Sequence, residues 1–215
     1  MQVLRGLKEL SEFDGPFGLA LGVFDGVHLG HQAVIEAARG VGALGVLTFD
    51  PHPVQVLAPD HAPLHILSSL DQKERILSEL GVDFLVIIEF SAEFAAREAR
   101  EFADDLFATG VKKLSAGDDW SFGRGRKGNM QNLREWGCES GVEVLEVSAI
   151  SQDGIRISST RIRKCLKQDD LEAVAAMLGR HYSVLGEVVR GRQLGRTIGF
   201  PTANIDVADE VLPPN

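Results

Sequence analysis

Residues 18–40 read GLALGVFDGVHLGHQAVIEAARG. The first seven, Gly18 to Phe24, are nearly all apolar and predict a buried strand. Gln32 to Arg39 predicts a helix, so the stretch Gly22-Val23-Phe24-Asp25-Gly26-Val27-His28-Leu29-Gly30-His31 is a short junction between the two. Moving outward, the pattern repeats. Strands are expected at Leu44–Phe49, Phe84–Ile88, Lys112–Ala116 and Val142–Val147. Helices are expected at Asp71–Leu80, Arg97–Ala108 and Gln131–Glu139. Strands that are apolar throughout and alternate with helices belong to a parallel sheet covered on both faces. The expected fold class is therefore α/β, a Rossmann-like doubly wound parallel sheet.

The texture changes near Gly179. Ser158 to Leu178 predicts two short helices, the second opened by Asp169-Asp170. Tyr182 to Arg190 alternates like a strand, and GRQLGRTIGFPTAN follows. The expected division is a domain over 1–180 and the start of a β-type domain over 181–215. Thirty-odd residues are few for an independent unit of this kind.

The chain has 215 residues, with 22 Lys+Arg against 31 Asp+Glu and a formal net charge of −9. That balance disfavours a general nucleic-acid binder, which needs a basic face. A composition 44% hydrophobic and 25% charged is that of an ordinary globular protein. Apolar runs stay far below the ~20 residues of a membrane helix, so no membrane partner is expected. The opening MQVLRGLKELSEF lacks the apolar core of a signal peptide. Cys138 and Cys165 lack partners at metal spacing, and a reduced, cytoplasmic protein is the expectation. Oligomeric state is not readable from the sequence.

In a doubly wound sheet, ligands collect where strands end and helices begin. A helix N-terminus there offers free N–H groups to phosphate. His28 and His31 are one helical turn apart, so both imidazoles can face one phosphoryl group. Gly30 between them leaves room for close approach. Two surface histidines in a turn would be the plain alternative. FDPHP (49–53) follows the second strand: two prolines stiffen it, and Phe49 and His52 can present flat surfaces to an aromatic ring. GDDWSFG (117–123) follows the fourth strand. Asp119 can bind a hydroxyl, and Trp120 or Phe122 can stack. ISSTRIR (157–163) opens a helix whose serines can cap it, with Thr160, Arg161 and Arg163 available to phosphate.

These segments, in this order and with GFPTAN at 199–204, resemble the bacterial bifunctional riboflavin kinase/FMN adenylyltransferase (FAD synthetase) family. The resemblance implies a His-x-Gly-His nucleotidyltransferase domain followed by a β-barrel kinase domain, here only begun. It implies His28 and His31 as catalytic residues, and Gly22, Phe24, Gly30, Ser159, Thr160 and Arg161 as the ATP site. Phe49, Pro51, His52, Asp119 and Phe122 would contact FMN. Thr202 and Asn204 match a magnesium- and phosphate-binding pair of the kinase barrel. The implied substrates are ATP and FMN, with Mg²⁺, and the products FAD and pyrophosphate. Riboflavin phosphorylation is not expected of this chain alone, since the family's later catalytic carboxylate has no position here. The chain departs from the family at Trp120 (usually Phe), Ser121 (usually Arg) and His181 (often Pro). Two alternatives stay open: another His-x-Gly-His nucleotidyltransferase with a phosphopantetheine or nicotinamide mononucleotide acceptor, and a non-catalytic flavin-nucleotide binding protein.

Overall fold

The structure, a computed structural model, describes residues 1–61, 66–190, 203–207 and 211. In chain order the elements are β1 (Gln2–Arg5), α1 (Gly6–Ser11), β2 (Phe17–Leu21), α2 (Leu29–Ala37), β3 (Ala43–Asp50), α3 (Pro53–Leu57), α4 (Leu70–Glu79), β4 (Phe84–Glu89), α5 (Ala92–Ala95) and α6 (Ala99–Ala108). They continue with β5 (Lys113–Gly117), β6 (Ser121–Phe122), β7 (Gly128–Asn129), α7 (Met130–Glu139), β8 (Glu143–Val147), β9 (Ser151–Gln152), β10 (Ile155–Arg156), α8 (Ser159–Lys167), α9 (Leu171–Leu178), β11 (Glu187–Val189) and β12 (Asn204–Asp206).

Six strands form one sheet in the order β1-β4-β3-β2-β5-β8, and every pairing is parallel. From β2 the chain winds outward through β3 and β4, then returns to β2's other side as β5 and β8. The winding reverses between β2 and β5, so the loops leaving these strands diverge and open a crevice. Alternation along each strand feeds two cores. Leu19, Leu21, Leu47, Val86 and Ile88 face α1, α6 and α7 with Phe102, Leu106 and Leu133. Ala20, Val46, Leu85 and Ile87 face α2 and α4 with Val34, Ile35, Ile76 and Leu77. Gly18 lets α2 lie close, since a Cβ there would collide with the Ala38 carbonyl. A third cluster joins α8 and α9 through Ile162, Leu166, Val174 and Met177 to Leu67, Ile157 and Val211.

The doubly wound parallel sheet is as expected, with informative shifts at its edges. β2 ends at Leu21 rather than Phe24, because Phe24 turns to φ +52°. The following helix starts at Leu29 rather than Gln32, because the His28 ring caps it. β1 and α1 add an unforeseen edge, too short to show periodicity. FDPHP is not just a stiff crossover: the Asp50–Pro51 peptide is cis, and His52 starts the short helix α3. Within Tyr182–Arg190 only Glu187–Val189 is a strand, paired antiparallel with Asn204–Asp206. No helix among the described residues is long and apolar enough to cross a membrane.

Candidate active site

The β2–α2 junction is held almost residue by residue. Phe24 and Val27 both take positive φ, +52° and +42°. For a β-branched residue such as Val27 this is strained, and surroundings must impose it. Asp25, 4% exposed, supplies one anchor. Its carboxylate accepts from the Leu67 N–H at 2.8 Å and the Ser68 N–H at 3.3 Å, and pairs with the Arg163 guanidinium. The Gly26 N–H donates to Ser68 Oγ at 3.0 Å. Arg180 donates to the carbonyls of Gly26 (2.8 Å) and Val27 (3.1 Å), and Gln32 Nε2 also reaches the Val27 carbonyl at 3.0 Å. The Val23 carbonyl accepts from Thr48 Oγ1 at 2.8 Å and Lys73 Nζ at 2.9 Å.

Upon this platform stand the two imidazoles. Their rings are stacked, 3.6 Å between centroids and 13° apart. The His31 N–H donates to His28 Nδ1 at 3.2 Å, which makes His28 the N-cap of α2 and leaves Nε2 as the nitrogen that carries the proton of the neutral ring. Burial pushes His28 down to about 4, against an opposing pull from Asp25. His31 is held well below the ordinary histidine value, by burial first and then by His28 and Lys73. Both rings are therefore neutral near pH 7. His31 Nδ1 is buried with no hydrogen-bond partner, a donor or acceptor waiting for a ligand. Gly30 leaves the His28 ring undisturbed: a Cβ there would sit 3.1 Å from its Cε1 and press the ring aside by a few tenths of an ångström.

The start of α8 faces the same space. Ser158 Oγ caps the helix by accepting from the Arg161 N–H at 3.2 Å, and Ser159 Oγ donates to the Asp25 carbonyl oxygen at 2.9 Å. Asp25 thus ties the two helix starts together. Thr160 is exposed at the cleft wall. The arginines are engaged elsewhere: Arg161 donates to the carbonyls of Ile155 (2.9 Å) and Gln152 (3.4 Å) in the β9–β10 turn, and Arg163 holds Asp25. Ser158, Ser159 and Thr160 line the cleft, whereas the Arg161 side chain supports the turn beside it.

The cleft is about 610 Å³. Gly22, Phe24, His28, Gly30 and His31 form its floor, and Phe49, His52, Phe90, Phe94, Trp120 and Phe122 form an aromatic side. Trp120 stacks on Phe122 at 4.6 Å and 22°, with Phe122 buried behind it. Phe49 is also buried, edge-on to Phe90. His52 Nδ1 accepts from the Val54 N–H at 3.2 Å, so that nitrogen is used within α3. Burial is also the main cause of its lowered pKa. Pro51 is exposed and lies outside the cleft lining. Asp119 pairs with Arg156 at 2.7 Å at the cleft mouth. Thr202 lies outside the described residues. Asn204 is exposed on β12, away from the cleft lining.

Sequence reasoning missed Asp25, Lys73, Arg156 and Arg180. Lys73 had a visible signal: it shares a helical face with Ile76 and Leu77, where a charge is out of place. Asp25 had only its position inside the junction. Arg156 and Arg180 had none, since the groups that tie them to the site, Asp118 and Asp119 for one and the Gly26 and Val27 carbonyls for the other, are distant in sequence.

A FAD synthetase family profile matches residues 11–161, and a riboflavin kinase profile matches 178–215. The bifunctional riboflavin kinase/FMN adenylyltransferase of Escherichia coli (strain K12) is 39% identical over 222 residues, covering 99% of this chain and 70% of that protein. The Bacillus subtilis (strain 168) protein of the same name is 35% identical over 202 residues, covering 91% and 64%. A solved Streptococcus pneumoniae chain, described as a macrolide-efflux protein, matches with TM-score 0.84 and 28% identity over 100% of this chain and 72% of that one. A Francisella tularensis pantoate-beta-alanine ligase matches with TM-score 0.53 at 14% identity over 90% of each chain, a likeness of fold. With the FAD synthetase profile spanning the parallel sheet and both helix starts, the chain belongs to the bifunctional riboflavin kinase/FMN adenylyltransferase family.

Proposed function

We propose that this chain makes FAD by transferring AMP from ATP to FMN. An FMN phosphate oxygen attacks the α-phosphorus of ATP, the bond from that phosphorus to the bridging oxygen of the β-phosphate breaks, and pyrophosphate leaves. A phosphate monoester is already anionic and nucleophilic near neutral pH, so no covalent enzyme nucleophile is required. The work is alignment and charge stabilisation. One observation carries the reading: two helix starts, one bearing stacked neutral imidazoles and the other three hydroxyls, open on one cleft with an aromatic side.

His28 and His31 would donate to the α- and β-phosphoryl oxygens as charge builds there. A polyanion beside them favours their charged forms, so the rings take up protons as the nucleotide docks. Thr160 and the free N–H groups of α8 would hold the distal phosphates, with Ser159 keeping α8 in register through Asp25. Trp120, Phe49 and their aromatic neighbours would receive the isoalloxazine ring, and Asp119 a ribityl hydroxyl. Arg156, paired with Asp118 and Asp119 at the mouth, would meet a phosphate by exchanging those partners, while Arg161 would act by bracing the β9–β10 turn.

Magnesium would arrive with the substrate. Among the described residues no cluster of three or more His, Cys, Asp or Glu could cage an ion. The Asp25 carboxylate is already bound by Leu67, Ser68 and Arg163. The described residues of the cleft offer no such cage, and the ion would enter on the triphosphate, held mainly by its oxygens. Riboflavin phosphorylation is not part of this proposal.

The test supplies ATP and Mg²⁺ with FMN, riboflavin, phosphopantetheine or nicotinamide mononucleotide. FAD and pyrophosphate from FMN alone are expected. No FAD from FMN, or adenylylation of another acceptor in preference, overturns the assignment. Bound flavin without pyrophosphate would identify a binding protein instead.

A further inference from the structure

Lys73 lies on the buried face of α4, beside Ile76 and Leu77. Placing an ammonium there is costly unless it is well bonded. Its Nζ donates to the Val23 carbonyl at 2.9 Å and to Thr48 Oγ1 at 3.2 Å, while Thr48 Oγ1 donates to the same carbonyl at 2.8 Å. Two donors from two different elements thus converge on one carbonyl, at the residue between Gly22 and Phe24. Thr48 alone would satisfy that oxygen, so Lys73 adds a charge as well as a hydrogen bond. The next residue, Phe24, is the one forced to positive φ, and its ring stands edge-on to His31 at 5.3 Å.

We propose that Lys73 is a positioning residue for the adenylyl transfer. It holds the Val23 carbonyl away from the incoming phosphates and fixes the turn that seats Phe24 against His31, with its ammonium on the His31 side of that turn. The inference rests on the adenylyl-transfer reading for its kinetic consequence; the bonds of Lys73 to Val23 and Thr48 and the contact of Phe24 with His31 stand apart from that reading.

The charged and titratable groups around this point are Asp25 in the junction, Asp50 at the end of β3, and His28, His31 and His52. Arg156, Arg163 and Arg180 lie on the elements packed against them. Burial brings Lys73 itself down to about 8, partly countered by Asp25 and Asp50. It is therefore mostly protonated at pH 7, and its charge opposes protonation of His31.

The experiment compares Lys73→Met with Thr48→Val in the full chain. Histidine ring signals are followed by NMR across pH without substrate, and kcat and KM are measured with ATP and FMN. Lys73→Met should raise the His31 titration midpoint and lower kcat roughly 100-fold, the scale of a small misplacement of catalytic groups, with the KM for FMN nearly unchanged. Thr48→Val removes a hydrogen bond without a charge. It should lower kcat by less and leave the His31 midpoint where it was. A Lys73→Met protein with the wild-type midpoint and kcat overturns the proposal. Should Lys73→Met fail to fold, a wild-type kcat in Thr48→Val overturns the clamp on Val23. If wild-type protein makes no FAD yet Lys73→Met still moves the His31 midpoint, the reaction assignment fails and the placement of the charge survives.

Discussion

The two helix starts that meet at the cleft are built on different principles. At α2 the capping group is His28, a residue assigned to the chemistry, and its Nδ1 is consumed by the His31 N–H. At α8 the capping group is Ser158, an ordinary cap, and Thr160 remains at the cleft wall. At the first start His28 is buried, both rings are neutral near pH 7, and the turn below them is strained. The second is partly exposed and flanked by arginines that hold protein groups. The lesson is a division of labour. On the proposed reading, the α2 start would change its charge when phosphate arrives, and the α8 start would offer fixed donors. Asp25, bound to Ser159, Arg163 and the 67–68 backbone, keeps the two in register.

Removing the responsive side should have the largest effect. His31→Ala is expected to lower kcat by about 10²–10³-fold, the scale of losing one preorganised donor, with the KM for FMN nearly unchanged. Steady-state kinetics with pyrophosphate detection checks this, and an equal rise in KM instead would assign His31 to binding.

Cutting the tie comes next. Asp25→Ala leaves the mostly buried Arg163 without its carboxylate and frees the Leu67 and Ser68 N–H groups. A loss of about 3 kcal/mol is expected, read from denaturant unfolding.

The responsive side also makes stability depend on acid. His28 is held at about 4 in the fold against an ordinary 6.5. Above pH 6.5 the ring is neutral in both folded and unfolded chains and contributes no pH dependence. As pH falls from 6.5 toward 4, the unfolded chain binds the proton first, so stability declines. The loss from His28 approaches about 3 kcal/mol by pH 4. Unfolding midpoints between pH 7 and 4 measure it, and His28→Gln should reduce the slope over that window, leaving the part that His31 and His52 supply. Smallest of all, Thr160→Ala removes one fixed donor at an exposed site. It should raise the KM for ATP about five- to tenfold, near 1 kcal/mol, and leave the acid slope unchanged.

Much of this comparison was legible in the sequence, for physical reasons. Strands such as Phe84–Ile88 are buried on both faces, so their apolar runs are continuous and easily read. The His28–His31 spacing and the Ser158 cap are local, and locality is what sequence patterns encode. Less visible were features created by the fold. The turning of Arg161 toward Ile155 and Gln152 depends on a small hairpin that no periodicity announces. Asp25 gains its role from Leu67, Ser68 and Arg163, 42 to 138 residues away. Trp120 and Phe122 were both candidates for stacking, and only packing shows that Phe122 is buried behind Trp120.

The most direct test is a crystal structure with a non-hydrolysable ATP analogue and FMN. Nε2 of His28 and a ring nitrogen of His31 are expected about 3 Å from α- and β-phosphoryl oxygens, with the distal phosphates at the Thr160 end of α8. A nucleotide bound in the cleft with its phosphates away from both helix starts, and the two rings still stacked on one another alone, would contradict it.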